Sequence, residues 1–462
     1  MISSVQSFRK TLPGFAELLR AAEGDSATGA GSRHVGRIWE GIALQSFRFI
    51  HTGDIHLDSP LKGLSGQQGT AAERIRTATR TAFDNLVSQA IEDEVDFVII
   101  AGDLYDGDWR DYQTGLFFVQ QMGRLAEAGI PAFLLYGNHD AESQITRRLT
   151  LPSNVNVFSA RKPETFRLPK LNVALHGQSF RQRDVTENLA TAYPAPVAGF
   201  FNIGVLHIGL GGMGGHANYA PCALEELVNK GYAYWALAHV HQAAILHERP
   251  HVVFCGNLQG RHIRESGPKG ASLITVEDGQ VEAVSPLHAD CVRWIHLPVA
   301  VDQCAVSADA IDLMREAIEE AVAREAQGRL LACRIELTGQ TKLHGELLAS
   351  ADHLLAEARA AALGLGEEAA WIERLVVATK PEIAASRLDA VGDLQRMIET
   401  AGSDAELQAR LASQLGDVVR KLPHDVRSET DDAVLKAAID GNIAGLISHA
   451  GAFLNARLAE KV

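Results

Sequence analysis

The sequence is short of paired cysteines, of long apolar runs and of positive charge. Its five cysteines, Cys222, Cys255, Cys291, Cys304 and Cys333, are scattered over 462 residues with no CxxC pair. An odd, scattered set excludes a disulfide framework and a thiolate zinc site. It predicts reduced thiols, buried as small hydrophobes, in a cytoplasmic protein. No run of about 18 apolar residues occurs, so no membrane-spanning helix is expected. Nor does a compact apolar core with a small-residue cleavage site stand near Met1, so no secretory signal is expected. Lys and Arg number 43 against 57 Asp and Glu, a formal charge of −14. A protein that coats DNA through its whole surface is normally basic. Any affinity for nucleic acid must therefore come from local patches, bound metals or a partner.

Composition is otherwise ordinary, with 46% apolar and 22% charged residues, the proportions of a globular protein. The length predicts about two to four domains. Residues 1–45 hold one short amphipathic stretch, Phe15 to Ala22, and then a Gly/Ser/Ala-rich segment. They are expected to be a disordered extension; a translation start placed too far upstream would leave the same pattern. From Phe47 the signals alternate. Apolar runs at Phe47–Ile50, Asp96–Ala101 and Pro131–Tyr136 predict buried strands, and helical spacing predicts helices over Arg74–Ile91 and Tyr112–Ala128. Strand signals then dominate, at Leu171–His176, Phe201–Ile208, Tyr234–Ala238, His251–Cys255 and Ala271–Glu277. This order predicts an α/β fold of two packed β-sheets flanked by helices over residues 46–290. Residues 291–381 predict a small α+β unit. Residues 382–462 predict a helical C-terminal region with an apolar stripe from Leu407 to Leu422.

The chemistry sits at five strand ends. In FRFIHTGDIHLDSP, Phe47 to Pro60, a strand breaks at Gly53 and presents Asp54, His56 and Asp58. Later strand ends offer Gly102-Asp103, Gly137-Asn138-His139-Asp140, His207, and His239-Val240-His241. Carboxylates, neutral imidazoles and one amide oxygen suit two first-row divalent ions better than a thiolate site or a calcium cage. A parallel sheet gathers its strand ends along one edge, so these distant residues are expected to converge. The glycines before Asp54, Asp103 and Asn138 are expected to serve sharp turns. His239 and His241 are expected to alternate on a strand and face the same way. Taken alone, His207 reads as a satisfied core histidine; the ordered set of five does not read that way.

The series D-x-H, G-D, G-N-H-D, single His and H-x-H resembles the signature of the calcineurin-like metallophosphoesterases, over roughly residues 47–260. More narrowly, HTGDIHLDSP, AGDLYDG, the Tyr219 to Cys222 segment and GNLQGRHIRESGPKG (Gly256 to Gly270) resemble the bacterial SbcD/YhaO-type DNA repair exonuclease branch. The resemblance implies a four-layer sandwich with residues 291–380 as a small capping domain. It implies that Asp54, His56 and His241 hold one metal, that Asn138, His207 and His239 hold the second, and that Asp103 bridges both. Manganese is the ion implied, and iron or zinc would suit the same ligands. His139 is implied to face the substrate phosphate. Asp106 departs from the pattern, because some archaeal and eukaryotic relatives of the branch carry a histidine there. Two such ions about 3.5–4 Å apart clamp a phosphate and lower the pKa of a bound water. His139 would then give the leaving oxygen a proton or a positive charge.

The activity implied is phosphodiester hydrolysis by metal-bound hydroxide, in a DNA exonuclease acting on ends of linear duplex with an SMC-like ATPase partner of the SbcC/YhaN type. Two alternatives stay open: a phosphatase or phosphodiesterase acting on a nucleotide or phosphoprotein, and a non-catalytic DNA-tethering subunit of an ATPase complex. Arg261, His262, Arg264 and Lys269 form a basic cluster that reads either as a phosphate contact or as a solvated loop. His216 and Tyr219 read either as a mobile border of the site or as part of a connector. The Leu407–Leu422 stripe reads either as a docking face or as packing on its own domain.

Overall fold

Alternation along the first apolar run sets the layers. In β1 (Phe47–Thr52), successive side chains face opposite sides. Phe49 joins Phe97, Ile99, Phe133, Val173, Ile203, Val205 and Tyr234 in one apolar layer. Its neighbour Ile50 joins Val98, Ile100, Leu134, Phe83, Leu86, Phe118 and Met122 in another. The first layer lies between two sheets and the second between a sheet and its helices. The computed structural model describes residues 46–59, 69–106, 112–142, 149–210, 221–382, 397–398, 400–422, 433–447 and 449–451. The expectations for residues 1–45, His216 and Tyr219 lie outside the described residues.

In the first sheet, β2 (Phe97–Ile100), β3 (Ala132–Leu134) and β4 (Val155–Val157) run parallel to β1. The second sheet contains β5 (Glu164–Leu168), β6 (Val173–Gly177), β7 (Phe201–His207), β8 (Tyr234–Ala238), β9 (Ala244–Glu248) and β10 (His251–Phe254), in the order β5-β6-β7-β8-β10-β9. The chain then returns to the first sheet as β11 (Gly270–Glu277) and β12 (Gln280–His288), antiparallel to their neighbours, giving β12-β11-β1-β2-β3-β4. Helices α1 (Thr70–Arg76), α2 (Ala78–Glu92) and α3 (Tyr112–Glu127) lie on the first sheet's side, and α2 and α3 supply the helical side of its apolar layer. The short α4 (Asn138–Glu142) follows β3. On the far side of the second sheet, Leu206, Trp235, Leu237 and Phe254 are covered by Tyr193, Tyr232 and Leu227, the last from α5 (Leu224–Val228). The result is the expected α/β sandwich of two sheets flanked by helices.

Two differences from the sequence reading have physical causes. The single helix expected over Arg74–Ile91 is broken at Thr77, whose φ of −95° and ψ of 2° leave the helical range while its side-chain hydroxyl donates to Glu73 O at 3.1 Å. A hydroxyl that bonds back to the preceding turn competes with the regular ladder. Four strands carry no clear apolar signal in the sequence: β4, β5, β9 and β12. They are the four edges of these two sheets. Their residues are half-buried or exposed throughout, so polar and apolar positions mix along them.

Residues 292–381 build a separate unit with its own aliphatic core. β13 (Val292–Ala300), β14 (Leu330–Thr338) and β16 (Ala370–Val377) pair in parallel in the order β13-β14-β16, while β15 (Gln340–Thr341) pairs with β17 (Lys380–Pro381). Parallel neighbours need crossovers, supplied here by α6 (Ser307–Ala321) and by α7 (His344–Ala349) with α8 (Ala351–Gly364). Trp294, Leu330 and Ala332 of this unit pack on Ala72, Ile75 and Ile263. Beyond it, α9 (Ala405–Lys421) is capped by the Asp404 carboxylate and packs on α10 (Ala433–Ile439). None of its residues is fully buried. Among the described residues, no helix is long and apolar enough to cross a membrane. The five cysteines are free thiols, four of them buried.

Candidate metal centre

The loops after β1, β2, β3, β7 and β8 meet in one place, and their backbone is forced. Nine described non-glycine residues have a positive φ. Five of them lie here: Asp54 (47°), His56 (47°), Asp58 (56°), Asp103 (51°) and His239 (99°). Such conformations cost about 1–3 kcal/mol each and collect where function over-determines the geometry. The glycines act differently from the turn role expected of them. Only Gly102 of the three has a positive φ, 114°. The other two are needed for close approach. A Cβ on Gly53 would sit 2.6 Å from Ala238 Cβ, and one on Gly137 would sit 2.3 Å from Asp103 Oδ1.

All seven expected ligand residues converge. Asp54 is buried and accepts the His239 backbone N–H on both oxygens, at 3.1 and 2.8 Å. Nε2 of His56 and Nε2 of His241 face each other at 3.3 Å, each 4.0 Å from a carboxylate: Asp103 Oδ2 for His56 and Asp54 Oδ1 for His241. His207 Nε2 lies 3.3 Å from Asp103 Oδ2 and 3.0 Å from Asn138 Oδ1. His239 completes a second group with Asp103 and His207, matching the first group of Asp54, His56 and His241; within each group the ligand atoms lie within 4.8 Å of one another. Asp103 stands between the groups, touching both His56 and His207. His239 and His241 do not alternate on a strand or face the same way, contrary to the expectation. β8 ends at Ala238, and the left-handed turn at His239 sends the two rings to different groups.

The donor chemistry fits a cation. His207 Nδ1 lies 3.1 Å from the Ala101 carbonyl, to which it donates, so the neutral ring turns a lone pair at Nε2 toward two oxygen acceptors. Buried lone pairs aimed at one another repel unless a proton or a metal lies between them. Without a metal the proton does this. Burial opposes charge on His207, but Asp103 beside it outweighs burial and holds the pKa at about 9. His56 goes the other way, lowered to about 3 by burial and then by Arg261. Its Nδ1 is buried without a hydrogen-bond partner.

Around these ligands lies a ring of supporting contacts. His139 Nδ1 is 3.1 Å from Asp106 Oδ1, and its backbone N–H donates to Asp103 Oδ1 at 3.0 Å. Burial disfavours the His139 imidazolium, but its hydrogen bond to Asp106 raises its pKa above the ordinary value. Asp106 also accepts from Ser59 Oγ at 2.6 Å. Asp140 is pushed up to about 6, by burial first and then by Asp103. It accepts the backbone N–H groups of Leu104, Tyr105 and Gly137, tying two of the loops together. Asp58 faces away and pairs with Arg80 and Thr114 on the helices.

The basic cluster divides. Arg261 turns inward, its Nη1 3.3 Å from Ser59 Oγ and 3.9 Å from Asp106 Oδ2. Lys269 is buried and donates to the His241 carbonyl at 3.0 Å, so it is neither a phosphate contact nor part of a solvated loop. His262 and Arg264 are exposed and stay outside the convergence. The residue that motif reasoning missed is Glu265, whose Oε1 lies 2.6 Å from His241 Nδ1. Its one visible signal is that it is the only carboxylate among the cations of RHIRESGPK.

Residues 47–243 match the family of calcineurin-like phosphoesterases, and residues 294–380 match the middle domain of the metallophosphoesterase YhaO. Residues 47–243 are a calcineurin-like phosphoesterase domain. The uncharacterized metallophosphoesterase YhaO of Bacillus subtilis (strain 168) is 37% identical over 242 residues, 52% of this chain and 59% of the relative. The chain thus spans less than two thirds of that relative's length. These matches agree with the YhaO-type branch that the motifs resemble. Among solved structures, a dimetal phosphatase from Danio rerio aligns at 10% identity over 52% of this chain and 97% of its own, with a TM-score of 0.31. GAP50, the anchor in the inner membrane complex of Plasmodium, aligns at 11% identity over 53% and 89%, with a TM-score of 0.30. The phosphoesterase domain and its His/Asp groups, which include a third of His56, Asp106 and His139, together suggest a binuclear divalent metal site.

Proposed function

We propose that the protein is a two-metal phosphodiester hydrolase acting on DNA, an exonuclease that works from the ends of linear duplex with an SMC-like ATPase partner. The reading rests on one observation above all. The small unit packs against the loop that carries Arg261, through Trp294 and Ile263, so a second body stands beside the metal centre. A phosphoesterase of a small molecule has no need of such a body, whereas a long polyanion must be held beyond the scissile bond. In this reading Asp54, His56 and His241 hold one ion, Asn138, His207 and His239 the other, and Asp103 both. Manganese is the ion proposed, and five free thiols suit a reducing, cytoplasmic setting.

Bound divalent ions would clamp the phosphate and supply a nucleophile at neutral pH. The chain's own groups do the rest. Asp106 holds His139 Nδ1, which fixes the ring and keeps its other nitrogen for the leaving oxygen. The raised pKa of His139 favours the protonated ring that can give a proton to that oxygen. Arg261 brings a guanidinium to the Ser59–Asp106 side of the site, where it can meet a non-bridging oxygen. The exposed His262 and Arg264 can meet the backbone of a bound strand further out.

The net charge of −14 favours a second reading, a phosphatase or phosphodiesterase of a nucleotide or phosphoprotein on the same core. Linear and covalently closed duplex, incubated with manganese and the purified protein, separate the two. Shortening of the linear form with the closed form left intact supports the exonuclease. Turnover of mononucleotide diesters with neither DNA degraded, even with the ATPase partner added, would replace it by the second reading.

A further inference from the structure

Glu265 is the hub of the loop between β10 and β11, and the phosphoesterase chemistry does not require a carboxylate there. It is 7% exposed. One oxygen, Oε1, lies 2.6 Å from His241 Nδ1 and accepts from Arg261 Nη2 at 3.2 Å. The other, Oε2, accepts from the Arg261 backbone N–H at 2.7 Å and from Asn257 Nδ2 at 3.0 Å. A buried carboxylate with this many donors is fixed in place. Its own segment is fixed in turn by the small unit. Trp294 Nε1 donates to Gly260 O at 2.9 Å, Gln259 Nε2 donates to Val292 O at 2.6 Å, and Gly267 N–H donates to Trp294 O at 3.0 Å.

We propose that Glu265 is a positioning residue that sets His241 for metal binding and anchors Arg261 beside it. This deepens the two-metal reading and rests on it. By accepting a hydrogen bond from Nδ1–H, Glu265 fixes the tautomer in which Nε2 of His241 carries the lone pair and faces the His56 ring at 3.3 Å. A carboxylate on the far nitrogen orients a ligating imidazole, and loss of such a partner typically weakens metal binding about 10–100-fold. The same carboxylate holds the Arg261 fork, so one group ties a metal ligand to the nearest guanidinium. Because the small unit clamps residues 259–267, the position of His241 is set from outside the phosphoesterase domain as well as from within it.

The test is titration of metal-free wild type and Glu265→Gln with Mn2+, following the Kd of each of two sites and the melting temperature before metal is added. The proposal expects one site weakened about 10–100-fold and the other nearly unchanged. Equal Kd values in the two proteins would overturn it, whatever happens to the melting temperature, because a purely structural carboxylate would lower only the latter. Should the variant fail to fold, long-range 15N NMR on the zinc-loaded wild type decides, with His241 assigned by its loss in His241→Gln. Protonation at Nδ1 supports the proposal and protonation at Nε2 overturns it. Wild type that takes up no divalent ion would overturn the two-metal reading itself, a result visible before any variant is compared.

Discussion

The metal edge and the small unit solve opposite problems with the same backbone. In the small unit, aliphatic side chains such as Leu331, Ile335 and Leu354 fill a core. Gln327, at a helix end, is the one non-glycine residue described there with a positive φ. At the metal edge, five non-glycine residues are left-handed, and Asp54, His56, Asp103 and His207 are buried with their charges and lone pairs converging. One region is stabilised by burial, while the other is strained and held in place by its surroundings. Strain and buried charge of this kind mark where structure is spent on function.

Substitutions can break that contrast. The largest effect is expected from Asp103→Asn and from Gly137→Ala, whose new Cβ would fall 2.3 Å from the Asp103 carboxylate. Both should lose both metals, measured as bound metal after gel filtration; full occupancy in either would remove Asp103 from its bridging place. His139→Ala should keep its metals and lose about 10²–10⁴-fold in kcat, and loss of metal in that variant would make His139 a ligand instead. Asp106→Asn is expected to act through pH. Asp106 holds the His139 pKa up, and an acid works below its pKa, so its loss should move the alkaline limb of the kcat profile to lower pH. An unmoved limb would separate His139 from the proton transfer. Leu354→Ala in the small unit gives the complementary result, about 2–5 kcal/mol of stability lost to a cavity with metal affinity unchanged. Denaturant melts and metal titration on the same sample check both halves.

The same contrast explains what could be read from the sequence. β1, β2, β3, β7 and β8 are legible because both faces are buried, so they appear as continuous apolar runs. The ligands are legible because they follow those runs. The four edge strands are not, since their residues are half-buried or exposed throughout. The turn at His239 is hidden as well, because nothing in His-Val-His announces a left-handed residue. Glu265 and the inward turn of Arg261 and Lys269 depend on where the small unit clamps residues 259–267, which spacing cannot reveal. The same short run placed Arg264 outside and Arg261 inside.

The most direct test of two-metal hydrolysis is to load wild type and His139→Ala with manganese and measure, in each, bound metal and turnover of bis-p-nitrophenyl phosphate. Two metals in both proteins, with turnover in the wild type alone, is the predicted result. A fully loaded wild type that hydrolyses nothing in any divalent ion would contradict the account and leave a tethering subunit in its place.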